Sequence, residues 1–204
     1  MINWKNLYEK LSDMNRIVLS THENPDGDGL GCAYAMHHIA KKMNIESKII
    51  TATKFSKQYN FLNQDNCIEL YDYDIHYNWI KDADAAFIFD VGDFVRLRDV
   101  GRALIENKIY TFNIDHHPSL KNSSFNENYV DTAAAATGEM IYEFIKKNEI
   151  NFTKDEAIGV YTAVMTDTGS FRHSNTNSNC HKIAMECIEL GVNSSRAVSY
   201  THLT

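Results

Sequence analysis

Behind the apolar run Ile17-Val18-Leu19, the stretch THENPDGDGLG (21–31) brings His22, Asp26 and Asp28 into one short loop. Three further segments end in the same kinds of group. FIFD closes on Asp90, FNIDHH on Asp115-His116-His117, and VMTDTGSFRHSN runs through Asp167 into Ser170, Arg172, His173 and Ser174. Singly, each has an ordinary explanation: aspartate before glycine is turn chemistry, and an aspartate after a strand often caps the next helix. Jointly, carboxylates converging on one crevice would repel one another and raise each other's pKa unless cations intervened. Imidazoles mixed with carboxylates and no thiolate suit a hard to borderline divalent ion, Mn²⁺ first, with Mg²⁺ and Co²⁺ also chemically suited. Four aspartates and two histidines suffice for two ions about 3.5–4 Å apart sharing a carboxylate, the arrangement of two-metal phosphoryl transfer.

These groups need a scaffold that delivers them to one place. Apolar periodicity predicts a helix near 3–13, a strand at 16–21, a helix over 28–43 and a strand at 46–51. After a mixed region it predicts strands at 85–90 and 108–115 and helices over 133–148 and 154–169. RIVLST and AAFIFD are nearly continuous apolar runs, as in a parallel sheet covered on both faces. The fold class is therefore α/β: a mostly parallel sheet with helices on both faces. Such sheets bind ligands outside the carboxyl ends of their strands; the first three candidate segments follow strands there, and the fourth ends an apolar helical stretch at Asp167.

In the first loop, Gly27, Gly29 and Gly31 are read as allowing a tight strand-to-helix turn, with the helix start offering N–H groups to phosphate. Their order matches neither the Rossmann fingerprint nor the P-loop, so no nucleotide cofactor is read here. The following helix is read with Leu30, Ala33, Tyr34, His37 and Ala40 near one face. His37 and His38 are adjacent, share no helix face and are read as packing residues. The aromatic stretch YDYDIHYNWI (71–80) is read as packing against the sheet rather than stacking a base.

The 204 residues, 44% of them hydrophobic, suit a single buried core, and two prolines leave little room for a linker. A formal net charge of −7 argues against a grip on long duplex nucleic acid, which relies on many lysines and arginines meeting phosphates. It does not oppose a short anionic substrate, because bound cations would reverse the local sign. Cys32, Cys67, Cys180 and Cys187 show no CxxC spacing. There is no secretory signal and no apolar run long enough to span a bilayer, so the expectation is a cytoplasmic protein with buried free thiols and no membrane partner.

HENPDGD, FIFDVGD, IDHHPS and VMTDTGSFRHSNT, in this order over positions 22–176, resemble the four motifs of the DHH-family phosphoesterases. Asp115-His116-His117 is that family's namesake triplet. Within the family, TDTGSFRHSNT is most similar to the cytoplasmic enzymes that degrade very short RNA oligonucleotides and remove the 3′ phosphate of adenosine 3′,5′-bisphosphate. Cyclic-dinucleotide phosphodiesterases, single-strand DNA exonucleases and manganese inorganic pyrophosphatases also belong to it.

The resemblance implies that His22 and Asp26 hold one Mn²⁺, that Asp28, His116 and Asp167 hold a second, and that Asp90 bridges them. His117 would face the substrate phosphate and Asp115 would orient an imidazole, completing a catalytic set of Asp90, Asp115, His116 and His117. Arg172 would lie near the substrate with Ser170 and Ser174 beside it. A metal-activated water would attack phosphorus in line, aided by His117 and Arg172. The implied partners are short RNA oligonucleotides or phosphorylated nucleotides, and a homodimer is compatible with the resemblance. Alternatives are a cyclic-dinucleotide phosphodiesterase, an inorganic pyrophosphatase, or a non-catalytic module that senses a metal or nucleotide. Residues 1–193 are assigned to the DHH catalytic domain and 194–204 to the start of a linker or a non-native tail. The family's C-terminal substrate domain, with its glycine-rich GGGH-like motif, is not found in the chain, so metal binding is expected to survive and turnover to be weak.

Overall fold

A computed structural model describes residues 2–118 and 124–194. Apart from Ser194, the expected tail lies outside them, as does Ser119 of the third motif. Six strands form one sheet: β1 (Arg16–Thr21), β2 (Glu46–Thr51), β3 (Ile68–Leu70), β4 (Ala85–Phe89), β5 (Tyr110–Asp115) and β6 (Glu127–Val130). Their order is β3-β2-β1-β4-β5-β6, and every neighbouring pair runs parallel. Seven α-helices accompany them among the described residues: α1 (Trp4–Ser12), α2 (Gly27–Lys42), α3 (Tyr73–Lys81), α4 (Arg98–Glu106), α5 (Thr137–Lys147), α6 (Lys154–Asp167) and α7 (Ser178–Glu189).

Both sheet faces are covered, which explains the unbroken apolar runs. Ile17 and Leu19 of β1, with Phe87 and Phe89 of β4, join the larger core under α1, α2 and α5. Val18, Ala86 and Ile88 point the other way, into a smaller core with Ile80 of α3 and Val100 and Leu104 of α4. The chain leaves β1 through α2 in one direction and returns through α3 to β4 on β1's other side. That reversal opens a crevice between the ends of β1 and β4, the place where parallel sheets bind ligands.

The helix pair α2 and α6 sets what enters this crevice. At one end, Lys42 Nζ in the last turn of α2 donates to Glu156 at the start of α6 (2.7 Å). Glu156 is fully buried and also closes the capping box on Thr153. At the opposite ends stand Asp28 and Asp167. Between them the backbones nearly touch: a Cβ on Gly159 would sit 2.4 Å from the Gly31 carbonyl, and one on Gly31 would meet Gly159 likewise.

Three expectations change. The glycines of the first loop lie inside α2 and permit close approach rather than a turn; a Cβ on Gly29 would fall 1.9 Å from Thr21 Oγ1. The left-handed turn residue is Asn24, at φ 54. Helix α2 has no single apolar face, because the sheet, α5 and α6 bury it almost all round, leaving His37 half-buried between buried neighbours. The helix expected from 133 begins at Thr137, since Asp131 Oδ1 accepts from Ala133 N (2.9 Å), Glu139 from Ala135 N (2.8 Å), and Ala136 is extended. The 71–80 stretch packs as expected, with His76 and Ile80 buried and Tyr71, Tyr77 and Trp79 against the smaller core, while Tyr73 and Ile75 are exposed. Cys32, Cys180 and Cys187 are buried and Cys67 half-buried.

Because the two atoms nearest a new methyl at 159, Gly31 O at 2.4 Å and Ala35 N at 2.9 Å, are backbone, neither can step aside. Gly159→Ala is expected to lower stability by about 1–3 kcal/mol, despite alanine's advantage of up to about 1 kcal/mol in an unconstrained helix. Calorimetry reads this as a drop of several degrees in the unfolding midpoint, and an unchanged or raised midpoint would refute the contact.

Candidate metal centre

Each candidate side chain reaches the crevice for a local reason. Asp26 caps α2, its Oδ1 accepting from Asp28 N (3.0 Å) and Gly29 N (3.2 Å), so only Oδ2 faces the site. Those amides are thereby taken, and the expected phosphate cradle at the start of α2 is not available. Asp28, one residue into the helix, is completely buried. The start of α5 holds it: Thr137 N donates to Oδ2 (2.7 Å) and Gly138 N to Oδ1 (2.9 Å), with the Cys32 thiol also on Oδ1 (3.5 Å). Asp90 follows β4 at φ 61, a left-handed conformation that aspartate tolerates better than most residues.

The histidines are fixed by carbonyls. His22 Nδ1 donates to Glu23 O (2.7 Å) and His116 Nδ1 to Ala134 O (3.3 Å); a carbonyl only accepts, so Nε2 is the nitrogen left for an ion. His22 Nε2 lies 3.6 Å from Asp26 Oδ2 and 3.4 Å from Asp90 Oδ2. His116 Nε2 lies 3.3 Å from Asp167 Oδ2, 3.6 Å from Asp90 Oδ1 and 3.8 Å from Asp28 Oδ2. It is buried and has no hydrogen-bond partner. Ligand atoms each about 2.1 Å from one ion stand about 3–3.4 Å apart, so these spacings fit a shared cation better than direct hydrogen bonds. Three groups result: His22 with Asp26 and Asp90, Asp28 with His116 and Asp167, and Asp90 with His116 and His117, which links the other two. Asp90 turns one oxygen to the first and the other toward His116 of the second.

Electrostatics show the strain of this assembly. Burial raises the Asp28 pKa well above the usual carboxylate range, with Asp90, Asp167 and Asp26 adding to it. Burial raises Asp167 as well, opposed by His116. Asp90 goes the other way: burial would raise it, but His117 and His22 hold it below the ordinary range. Burial lowers the His22 pKa, and the contacts with Asp26, Asp90 and the Glu23 carbonyl outweigh that, pushing it up to about 10. Hydrogen bonding to Asp115 and Asp90 pushes His117 up to about 10.

His117 stands at the rim, about half exposed, its Nδ1 donating to Asp115 Oδ1 (2.9 Å). Buried Asp115 also accepts from His117 N (3.1 Å). The remaining candidates stay outside the cluster. Gly169, Ser170 and Phe171 form a left-handed turn after α6, and Arg172 is exposed with Nε donating to Gly169 O (3.0 Å). Ser170 is half-buried and Ser174 exposed. Among the described residues, no contact of these three reaches the ligand groups. Sequence reasoning missed Thr137, Gly138 and Asn175, whose Nδ2 donates to Ala135 O (2.9 Å) and Asp167 O (3.2 Å). Thr-Gly at a helix start was the available signal, hidden by the four alanines before it.

An acid–imidazole cluster at the switch point of a parallel sheet defines a class of metal-binding α/β domain. This chain belongs to the DHH family: residues 16–164 match the DHH family, N-terminal domain. The bifunctional oligoribonuclease and PAP phosphatase NrnA of Thermus thermophilus is 28% identical over 178 residues, covering 86% of this chain and 50% of that protein. A probable manganese-dependent inorganic pyrophosphatase of Streptococcus equi subsp. zooepidemicus is 22% identical over 186 residues, covering 87% and 56% respectively. The crystal structure of an exopolyphosphatase-related protein from Bacteroides fragilis shares the fold, with a TM-score of 0.87 at 20% identity over 98% of this chain and 60% of that one. The chain thus spans between half and three-fifths of the length of these relatives. Among the described residues, no helix is long and apolar enough to cross a membrane.

A ligating imidazole must give up the proton on the nitrogen that meets the ion, and His22 with a pKa of about 10 carries that proton at neutral pH. Metal binding is therefore expected to release protons and to tighten with rising pH. An ordinary histidine would level off just above its usual value; here the rise continues between about pH 7 and 8.5, by about tenfold per unit for each proton released. Calorimetric Mn²⁺ titrations in buffers of different ionisation enthalpy measure this, and an affinity flat over that interval would contradict it.

Proposed function

We propose that this chain is the metal-dependent catalytic domain of a phosphoesterase that hydrolyses short oligoribonucleotides or adenosine 3′,5′-bisphosphate. The observation that carries the proposal is Asp90, turning one oxygen toward His22 and the other toward His116. His22, Asp26 and Asp90 would hold one divalent ion, Mn²⁺ in the first place, and Asp28, His116, Asp167 and Asp90 a second. Bound there, the pair supplies a water of lowered pKa and positive charge for the phosphoryl oxygens. The nucleotide preference is supported by the TDTGSFRHSNT segment and by the relative named as an oligoribonuclease and PAP phosphatase.

The chain's own groups complete the reading. Asp115 holds His117 by Nδ1, leaving Nε2 of a protonated, half-exposed ring to donate to a phosphoryl or leaving oxygen. The Arg172 guanidinium, whose Nε donates to Gly169 O, would meet substrate from the rim. Ser170 and Ser174 offer hydroxyls beside it. The pyrophosphatase relative supports a second reading, hydrolysis of pyrophosphate at the same centre.

Phosphate and nucleotide release from an RNA dinucleotide, adenosine 3′,5′-bisphosphate and pyrophosphate, with and without Mn²⁺, tests both. Asparagine accepts the left-handed conformation at position 90, so Asp90→Asn is expected to fold yet lose activity by about a hundredfold or more, since even an outer partner of a ligand is worth 10–100-fold. Nucleotide substrates are expected to exceed pyrophosphate. The reverse order would favour the pyrophosphatase, and stoichiometric metal binding with no turnover of any substrate would leave a sensing module.

A further inference from the structure

Asp90 belongs to the His22 group and turns its other oxygen toward His116 of the second, yet little local structure determines where its carboxylate points. It stands past the end of β4 in a left-handed conformation, with its own N–H donating to Ile114 O (3.0 Å). Three histidines crowd it: His22 Nε2 at 3.4 Å, His116 Nε2 at 3.6 Å and His117 Nδ1 at 3.2 Å. The first two cannot donate to Asp90 once they ligate, because a ligating nitrogen presents its lone pair to the ion. His117 shares its single Nδ1 hydrogen between Asp90 and Asp115, the shorter contact being the 2.9 Å one to Asp115. A bridging carboxylate needs a donor that is not itself a ligand.

Thr137 is such a donor. It is fully buried at the head of α5, with Oγ1 3.3 Å from Asp90 Oδ1, while its backbone N–H donates to Asp28 Oδ2 at 2.7 Å. One residue thus reaches a carboxylate of the second group and the carboxylate that faces both His22 and His116. Its position is tightly held, for Gly138 abuts α6 so closely that a Cβ there would lie 2.4 Å from Ala163 Cβ, and α6 is the helix that delivers Asp167. Among the described residues, no other uncharged side chain donates to Asp90.

We propose that Thr137 is a positioning residue of the metal centre, its hydroxyl holding Asp90 at the separation from Asp28 that lets two ions bind as a pair. The inference rests on the metal-centre reading above. Its two contacts separate cleanly, because the backbone N–H survives any non-proline substitution and the hydroxyl does not.

The test compares Thr137→Val, which keeps the shape and loses the hydroxyl, with Thr137→Ser, which keeps the hydroxyl. Each is titrated with Mn²⁺ by calorimetry and examined at saturation by electron paramagnetic resonance. The unsubstituted chain and the serine variant are expected to bind two ions and give the spectrum of a coupled pair. The valine variant is expected to bind the first ion with near-parent affinity and the second about tenfold or more weakly, with the spectrum of isolated ions. Parent-like affinities and coupling in the valine variant would overturn the proposal, as would equal weakening in valine and serine variants, which marks a packing role. A parent chain binding fewer than two ions would instead overturn the metal-centre reading. If the valine variant does not fold, Thr137→Ala against Thr137→Ser carries the same comparison.

Discussion

Carboxylates that share a crevice shielded from water repel one another, and the surrounding structure is arranged to make that repulsion tolerable. A buried unpaired charge is among the most expensive things a fold can contain. Asp28 lies against the N-terminal amides of α5, where the helix dipole favours an anion. Asp26 spends one oxygen capping α2 and turns the other to His22. Asp90 gathers imidazoles, and Asp167 faces His116. Even so, without cations the cluster relies on protons held by His22 and His117, whose pKa values are pushed up to about 10. Divalent ions would do the same work with fixed geometry, which is why the donor set reads as a metal centre rather than as an ion-pair network.

Such a centre tolerates little misplacement, since ligands must be held to within about half an ångström. The close approach of α2 to α6 and of α5 to α6, through Gly31, Gly159 and Gly138, makes one rigid body of three helices whose ends carry Asp28, Asp167 and the amides that hold Asp28. The ion pair of exposed Lys42 with buried Glu156 fixes the far end of the same body. The other ligands come from strand ends, where parallel pairing aligns β1, β4 and β5. Helix packing and sheet register therefore meet at the site, and an error in either would be felt by the ligands.

Much of this was legible beforehand because it rests on short-range pattern. Unbroken apolar runs signalled covered parallel strands, and polar residues directly after them marked the carboxyl edge. Asp26, Asp28, Asp90, His116 and Asp167 were candidates by residue type and position before any contact was known. Other features were not legible. The alanines before Thr137 favour a helix by propensity, but Asp131 and Glu139 satisfy their amides in a turn instead. The glycines of the first loop looked like turn residues because sequence cannot distinguish a need for unusual dihedrals from a need for another backbone's approach.

By itself, the sequence determined which atoms could ligate, because donor type is a property of each residue and not of its neighbours. It also determined that the groups of the first three motifs would follow strands while Asp167 would close a helix. Only the tertiary structure decided how they are divided into two groups around Asp90, and that Asp28 is held by backbone amides 109 and 110 positions away. A main-chain N–H leaves no mark in the residue code, and its direction exists only once α5 has been packed against α6.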